Sequence, residues 1–247
     1  MAGHSKWNNI KRKKEKTDAQ RAKIFTKIGR EIAVAVREGG ADPSVNGKLR
    51  DLISKAKSNN VPNENIDRVI KKAAGGDDKN QYESIFYEGY GPCGVAVIVE
   101  TLTENRNRTA GDLRHYFDKY GGNLGTTGCV SFLFSQNGVI VLDAEGLTED
   151  KVMEDAMDAG ATDLSFEENV VEIYTEPNDL RTVREALEQK GYTFLSAEVE
   201  YLPQTTARIE DADIAAKMNR MLELMDDNDD IQNVWHNWEN EDDFAQE

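Results

Sequence analysis

The 247-residue sequence predicts an α+β protein. An N-terminal three-helix domain precedes two α/β domains with antiparallel sheets, one ferredoxin-like and inserted in the other. Three observations lead to this fold class. Apolar residues recur at helical spacing between residues 17 and 76, β-rich segments alternate with turn residues after that point, and residues 135–203 follow the order βαββαβ.

Three helices are expected in the N-terminal domain, residues 1–76. The first follows a capping box at Thr17 and ends at Gly39-Gly40. Asp42-Pro43 predicts the start of the second helix, as an N-cap followed by proline at the first helical position. Pro62 opens the third. The first 16 residues lack apolar periodicity, so we expect a tail that is mobile when no partner is bound.

The segment 82–134 predicts an incomplete sheet. Residues 82–90 and 95–102 are β-rich and are separated by a glycine- and proline-containing turn. A helix is expected over 107–120, and a further strand near 130–134. This β-β-α-β set lacks a partner for its last edge.

The inserted domain and the return of the chain complete the prediction. Strands and helices of the inserted domain are expected at 139–142, 148–159, 163–166, 170–175, 178–190 and 193–201. After Pro203 one more helix, 212–225, and one strand, 231–235, remain. We expect both to return to the incomplete sheet, so that residues 82–134 plus 204–247 form one domain and residues 135–203 interrupt it.

Charge divides the chain into two parts of opposite sign. Residues 1–76 contain 18 Lys and Arg against 8 Asp and Glu, a net +10, and the remainder contains 12 against 38, a net −26. The whole chain is therefore at −16. A charge separation of this size indicates a polyanionic partner that meets the N-terminal part.

The opening segment is the strongest candidate for a nucleic-acid contact. Lysine and arginine neutralise phosphates, tryptophan can stack on a base, and His and Ser can hydrogen-bond to phosphate or sugar. The candidate residues here are His4, Ser5, Lys6, Trp7, Lys11, Arg12, Lys13, Lys14 and Lys16. The alternative is a basic tail that only improves solubility.

Two further groups of cations could extend this footprint. Lys23, Lys27 and Arg30 fall on one face of the first helix, opposite its apolar face. Arg106 and Arg108 stand at the predicted start of the 107–120 helix, where backbone N–H groups suit phosphate and where cations oppose the helix dipole. A salt-bridged loop is an equally good interpretation of the arginine pair.

The sequence offers little for catalysis or for a cofactor. Three histidines are scattered without metal-ligand spacing, and the two cysteines, Cys93 and Cys129, cannot build a disulfide framework. The glycine-rich segment 121–128 could cradle a phosphate, but it lacks a lysine and does not open a helix, which favours turn glycines. We therefore predict no enzyme, no metal and no cofactor.

No membrane partner is expected either. The basic start is not followed by the apolar core of a secretory signal, and no apolar run approaches the length that spans a bilayer. Together with the low cysteine content, this predicts a cytoplasmic protein.

Several sequence blocks resemble one known family. The opening Met1–Trp7, the block Glu88–Pro92, the block Asn105–Thr109 and the block Gly121–Gly125 are similar to the signature segments of the YebC/PmpR family. The resemblance spans nearly the whole chain. It implies a helical N-terminal domain with two α/β domains, and a nucleic-acid partner. Members are described as DNA-binding transcriptional regulators, and relatives are linked to translation, in mitochondria and on stalled ribosomes.

Two functions therefore stay open from the sequence. The first is a DNA-binding transcriptional regulator whose acidic domains contact the transcription machinery, although no recognition helix presents base-reading side chains. The second is a translation factor on ribosomal RNA, whose acidic part meets basic ribosomal proteins. A lysine-rich tail with one tryptophan suits irregular RNA.

Overall fold

The computed structural model describes residues 18–75, 81–167 and 169–244. They form two compact units. One contains the described residues up to Leu133 together with those from Pro203 onward, and the other is Phe134–Leu202.

Three helices open the first unit: α1 (Asp18–Gly39), α2 (Gly47–Ser58) and α3 (Asn63–Ala74). Each contributes one apolar stripe to a shared core that contains Ile28, Ile32, Val36, Leu49, Ala56, Ile66 and Ala73. Helices α2 and α3, of 12 residues each, are held by packing of their apolar faces more than by intrinsic propensity.

The predicted start of the second helix at Asp42-Pro43 is wrong. Helix α2 begins at Gly47, because Asn46 is its N-cap: the Asn46 Oδ1 accepts a hydrogen bond from the backbone N–H of Leu49 at 3.0 Å. The buried Asn46 amide also donates to the carbonyls of Ala35 and Gly40, both at 2.8 Å. One side chain thus ends α1 and starts α2.

Two long strands and a helix follow. Strand β1 (Glu83–Tyr90) pairs antiparallel with β2 (Ala96–Thr103), and α4 (Arg106–Lys119) leads to the two-residue strand β3 (Asn123–Leu124), which pairs with the other side of β1. Gly122 must lack a side chain here, because a Cβ would stand 2.5 Å from the carbonyl oxygen of Tyr90.

The strand predicted near 130–134 is also wrong. Residues Ser131–Leu133 form a 3₁₀ turn, and Phe134 already belongs to the next strand. The reason is Glu88, whose buried carboxylate accepts hydrogen bonds from the backbone N–H groups of Gly128, Val130 and Ser131, each at 2.8 Å. These donors are therefore not available to a sheet.

The second unit has the ferredoxin-like order that the sequence predicts. Its elements are β4 (Phe134–Asp143), α5 (Glu149–Ala159), β5 (Asp163–Phe166), β6 (Val170–Thr175), α6 (Leu180–Gln189) and β7 (Ser196–Pro203). The strand order is β5-β6-β4-β7. Apolar residues of both helices, among them Val152 and Leu187, pack with Ile140 and Ile173 of the sheet.

The chain then returns to the first sheet. Helix α7 (Ala212–Asp227) packs three methionines into the core beside Phe117, and β8 (Ile231–His236) pairs antiparallel with β2. The resulting sheet order is β3-β1-β2-β8. The fold class is thus confirmed. The division into domains 1–76, 82–134 plus 204–247, and 135–203 stays our proposal, which the pairing of β8 with β2 supports.

Candidate nucleic-acid interface

The nine candidates of the opening segment lie outside the described residues. They are His4, Ser5, Lys6, Trp7, Lys11, Arg12, Lys13, Lys14 and Lys16. Their role as a nucleic-acid contact stays a prediction.

The cationic face of α1 meets the acidic turn that joins α7 to β8. This turn, residues 226–230, reads Asp-Asp-Asn-Asp-Asp. The Lys23 Nζ lies 2.6 Å from the Asp227 Oδ1, and the Lys27 Nζ donates to the carbonyl oxygen of Asp226 at 2.8 Å. The hydrogen bond to Asp227 raises the pKa of Lys23. Both lysines therefore contact carboxylates or carbonyls of the chain itself.

Arg30 makes the deepest contact of this face. Its Nη1 donates to the Asp230 Oδ1 at 2.7 Å, to the carbonyl of Asp229 at 2.8 Å and to the carbonyl of Leu102 at 3.3 Å. The guanidinium carbon also lies 5.4 Å from the centre of the Tyr82 ring. Arg30 thus links α1 to β2 and to the acidic turn.

Arg108 reaches the same carboxylate from α4. Its Nη2 lies 2.8 Å from the Asp230 Oδ2 and 3.1 Å from Oδ1. The hydroxyls of Thr103 and Thr109 donate to Oδ2 at 3.2 and 2.9 Å. The Asp230 side chain is only 5% exposed. Burial favours a higher pKa for Asp230, but the hydrogen bonds from Arg108, Arg30 and Thr109 hold its pKa below the usual value.

Arg106 differs from Arg108. Its side chain is 67% exposed, and its Nη1 lies 3.8 Å from the Glu83 Oε1. An ion pair at this distance and exposure holds the side chain weakly. Of the two arginines that sequence analysis singled out, Arg106 is open to a partner, whereas Arg108 is engaged with a buried carboxylate.

Sequence reasoning missed the acidic turn as the counterpart of the cationic helix. The available signal was the group of four aspartates in residues 226–230, just after a predicted helix.

Other exposed cations of the helical region, Lys57, Lys71 and Lys72, form no ion pair within the part of the chain that the structure describes.

The contacts of the glycine-rich segment 121–128 support its interpretation as a turn, not as a phosphate site. The N–H groups at its end and just beyond it bind the carboxylate of Glu88. Desolvation favours a higher pKa for Glu88, yet these three backbone hydrogen bonds lower it. An internal carboxylate thus takes the place that a phosphate would occupy. In residues 18–75, 81–167 and 169–244 no group of His, Cys, Asp and Glu has a metal-binding arrangement.

None of the helices that the structure describes has the length and apolar character needed to cross a membrane.

Both cysteines are free thiols, with Cys93 exposed and Cys129 half-buried. Burial raises the pKa of the Cys129 thiol.

Comparison with known proteins matches one family along nearly the whole chain. A family described as the TACO1/YebC protein N-terminal domain matches residues 5–76, and one described as the TACO1/YebC second and third domain matches residues 82–238. A protein of Acetivibrio thermocellus named "Probable transcriptional regulatory protein" is 59% identical, covering 96% of this chain and 99% of the relative. A protein of the same name from Caldicellulosiruptor saccharolyticus is 57% identical, covering 98% and 100%.

A solved structure shares the fold. The crystal structure of a conserved hypothetical protein from Aquifex aeolicus superposes with a TM-score of 0.81 at 46% identity, covering 91% of this chain and 92% of that chain. Identity at this level over nearly the full length establishes common descent as well as a common fold. The resemblance seen in the sequence blocks is thus confirmed, and the chain belongs to the TACO1/YebC family.

Proposed function

We propose that this protein is a non-enzymatic, nucleic-acid-binding regulator of gene expression that works in the cytoplasm. The observation that carries the proposal is the opposite charge of its two parts, +10 over residues 1–76 and −26 over the remainder. A basic segment of this density attracts phosphates and releases counterions, and the acidic remainder limits nucleic-acid contact to one end.

The first form of the proposal is a DNA-binding transcriptional regulator. Relatives more than 50% identical carry the name probable transcriptional regulatory protein. The opening segment would hold duplex phosphates, with exposed Arg106 as an additional contact. The acidic surfaces would then contact basic proteins of the transcription machinery.

One observation favours the alternative, a translation factor on ribosomal RNA. Helix α1 is held against the 226–230 turn by Arg30 and the buried Asp230, so it cannot enter a major groove as a recognition helix even if the exposed Lys23–Asp227 pair opens. Sequence reading by DNA-binding helices needs such a free face. Binding through phosphates and one stacking tryptophan needs none, and it suits irregular RNA.

A competition experiment separates the two forms. The full chain is mixed at near-physiological salt with purified ribosomes and an excess of promoter-containing duplex DNA, and the bound fraction on each is measured. Retention on ribosomes supports a translation factor whose DNA binding is electrostatic. Retention on DNA with preference for particular promoters supports a transcriptional regulator. Retention on neither contradicts the proposed function.

A further inference from the structure

The ion pairs between α1 and the 226–230 turn fall into two classes. The inner contact is buried: Arg30 and Arg108 share Asp230, whose side chain is 5% exposed. The outer contacts use exposed carboxylates, since the side chains of Asp226 and Asp227 are both 61% exposed. Lys23, which pairs with Asp227, is itself 38% exposed, whereas Lys27, 3.6 Å from the Asp226 carboxylate, is only 12% exposed. Exposed pairs are weak and are screened by salt, whereas a buried carboxylate that loses its partners is strongly destabilised.

The residue types fit these two classes. Arginine presents a planar fork that binds a carboxylate through two hydrogen bonds, and it occupies both inner positions. Lysine is a flexible point charge with freely rotating donors, and it occupies both outer positions. The Lys23–Asp227 pair, which is exposed on both sides, is therefore built to exchange partners, and the contact at Asp230 is built to persist.

The position of the outer aspartates supports this distinction. Asp226 and Asp227 are the last two residues of α7, whose final turn carries no basic residue of its own. Carboxylates at a helix C-terminus oppose the helix dipole, so these two do not stabilise α7. Their favourable contacts are with Lys23 and Lys27 of another helix.

We propose that Asp227, with its neighbour Asp226, acts as a releasable acidic clamp, which occupies Lys23 until the phosphates of a nucleic acid displace it, while Arg30, Asp230 and Arg108 stay joined. This proposal rests on the proposed function, because it assigns a regulation to the same cationic surface. The clamp reduces binding to weak or sparse polyanions, and its release adds Lys23 to the footprint of a strong one.

The first test is a double-mutant cycle on binding. The variant D226N/D227N is compared with wild type for binding of a duplex DNA and of a structured RNA across a salt series. One exposed ion pair of ordinary strength corresponds to an affinity gain of about 1.4- to fivefold at low salt. The gain must vanish when Lys23→Ala and Lys27→Ala are added, because the aspartates act only through these lysines.

A charge-matched control separates the clamp from long-range repulsion. Glu145 and Glu188 are exposed residues of the other unit. The variant E145Q/E188Q removes the same two negative charges without touching the clamp, and we expect little gain from it. An equal gain in this control, or a gain for D226N/D227N that survives removal of both lysines, overturns the proposal.

A second test needs no nucleic acid. Acylation rates of individual lysines are measured by mass spectrometry on the full chain, with exposed Lys57 and Lys71 as internal references. We expect Lys23 to react severalfold more slowly than the references, and to react faster in D226N/D227N or at high salt. Lys27, whose side chain is 12% exposed, is expected to react slowly under all these conditions. If Lys23 reacts as fast as the references in wild type, the clamp does not exist. If no nucleic acid binds but the protection is found, the proposed function fails and the clamp contact stands.

Discussion

The guanidinium of Arg108 binds both carboxylate oxygens of Asp230, although the two residues are separated by 122 positions in the sequence. The same carboxylate accepts a hydrogen bond from Arg30 at 2.7 Å. Two cations that the sequence marked as separate nucleic-acid candidates thus converge on one buried anion. Asp230 ties α1, α4 and the segment before β8 together, which makes it a centre of stability in this unit.

Replacement Asp230→Asn is expected to destabilise the protein. It removes the negative charge from a buried group that accepts hydrogen bonds from Arg30 and Arg108, whose side chains are 18% and 45% exposed, which costs about 3 kcal/mol. For a chain of this size that lowers the Tm by roughly 6–12 °C. Thermal and urea unfolding measure the loss. Asp229→Asn is the matched control, since the exposed Asp229 contacts Arg30 through its backbone carbonyl, and a shift as large as that of Asp230→Asn would contradict the assignment.

Glu88→Gln tests the carboxylate that organises the 128–131 turn. It weakens three charge-assisted hydrogen bonds, so we expect a loss of about 1.5–3 kcal/mol in the free energy of unfolding. Denaturant titration measures this loss. Glu83→Gln, at an exposed position of the same strand, should change little.

The pH dependence of stability follows from the same group. The folded-state pKa of Glu88 lies below its usual value of 4.5, so the unfolded chain takes up a proton first as the pH falls. The stabilisation is complete above the unfolded pKa and is lost as the pH falls through the folded pKa. We expect unfolding midpoints of wild type to drop below about pH 5 more steeply than those of Glu88→Gln; parallel curves would contradict this.

Arg106→Ala and Arg108→Ala should affect different properties. Arg106 is exposed and weakly paired, so its removal should leave the Tm unchanged and weaken nucleic-acid binding. Arg108 holds Asp230, so its removal should lower the Tm. Thermal unfolding and binding titrations on both variants check the assignment. A binding loss confined to Arg108→Ala would exclude Arg106 as a contact.

The tail prediction is tested by replacing Lys11, Arg12, Lys13 and Lys14 with alanine. Each phosphate contact contributes about 0.9 to the slope of log affinity against log salt on duplex DNA. The variant should bind any nucleic acid more weakly, with a slope smaller by up to about 3.6. Lys217→Ala with Arg220→Ala, on the acidic α7, serves as the control. An unchanged slope would remove the tail from the binding site.

Trp7→Ala distinguishes stacking from charge. Base stacking on an aromatic side chain contributes about 1–3 kcal/mol per base on single-stranded nucleic acid and little on an intact duplex. We therefore expect a larger loss on structured RNA than on duplex DNA, measured at the same salt. Equal losses on both ligands would argue against stacking by Trp7.

Local sequence signals determined most of the fold. Helical spacing of apolar residues predicted the three N-terminal helices, and the βαββαβ order predicted the ferredoxin-like unit, because both patterns depend on neighbours a few residues apart. The two wrong predictions, the start of the second helix and the strand near 130–134, depended on contacts between residues distant in the sequence. Asn46 replaces Asp42 as the cap because its amide also binds a carbonyl of the preceding helix. Glu88 binds amides of the 128–131 segment, about 40 residues away, and so withdraws them from a sheet.

For the candidate site, too, some features follow from the sequence alone and others depend on tertiary contacts. Composition alone revealed a basic N-terminal part and an acidic remainder, because net charge requires no knowledge of contacts. Which cations remain available to a partner was decided only by tertiary structure. Lys23, Lys27 and Arg30 meet residues about 200 positions away, and a pairing that distant leaves no periodic trace in the sequence. It exists only because α1 packs where the acidic turn comes back to the first sheet.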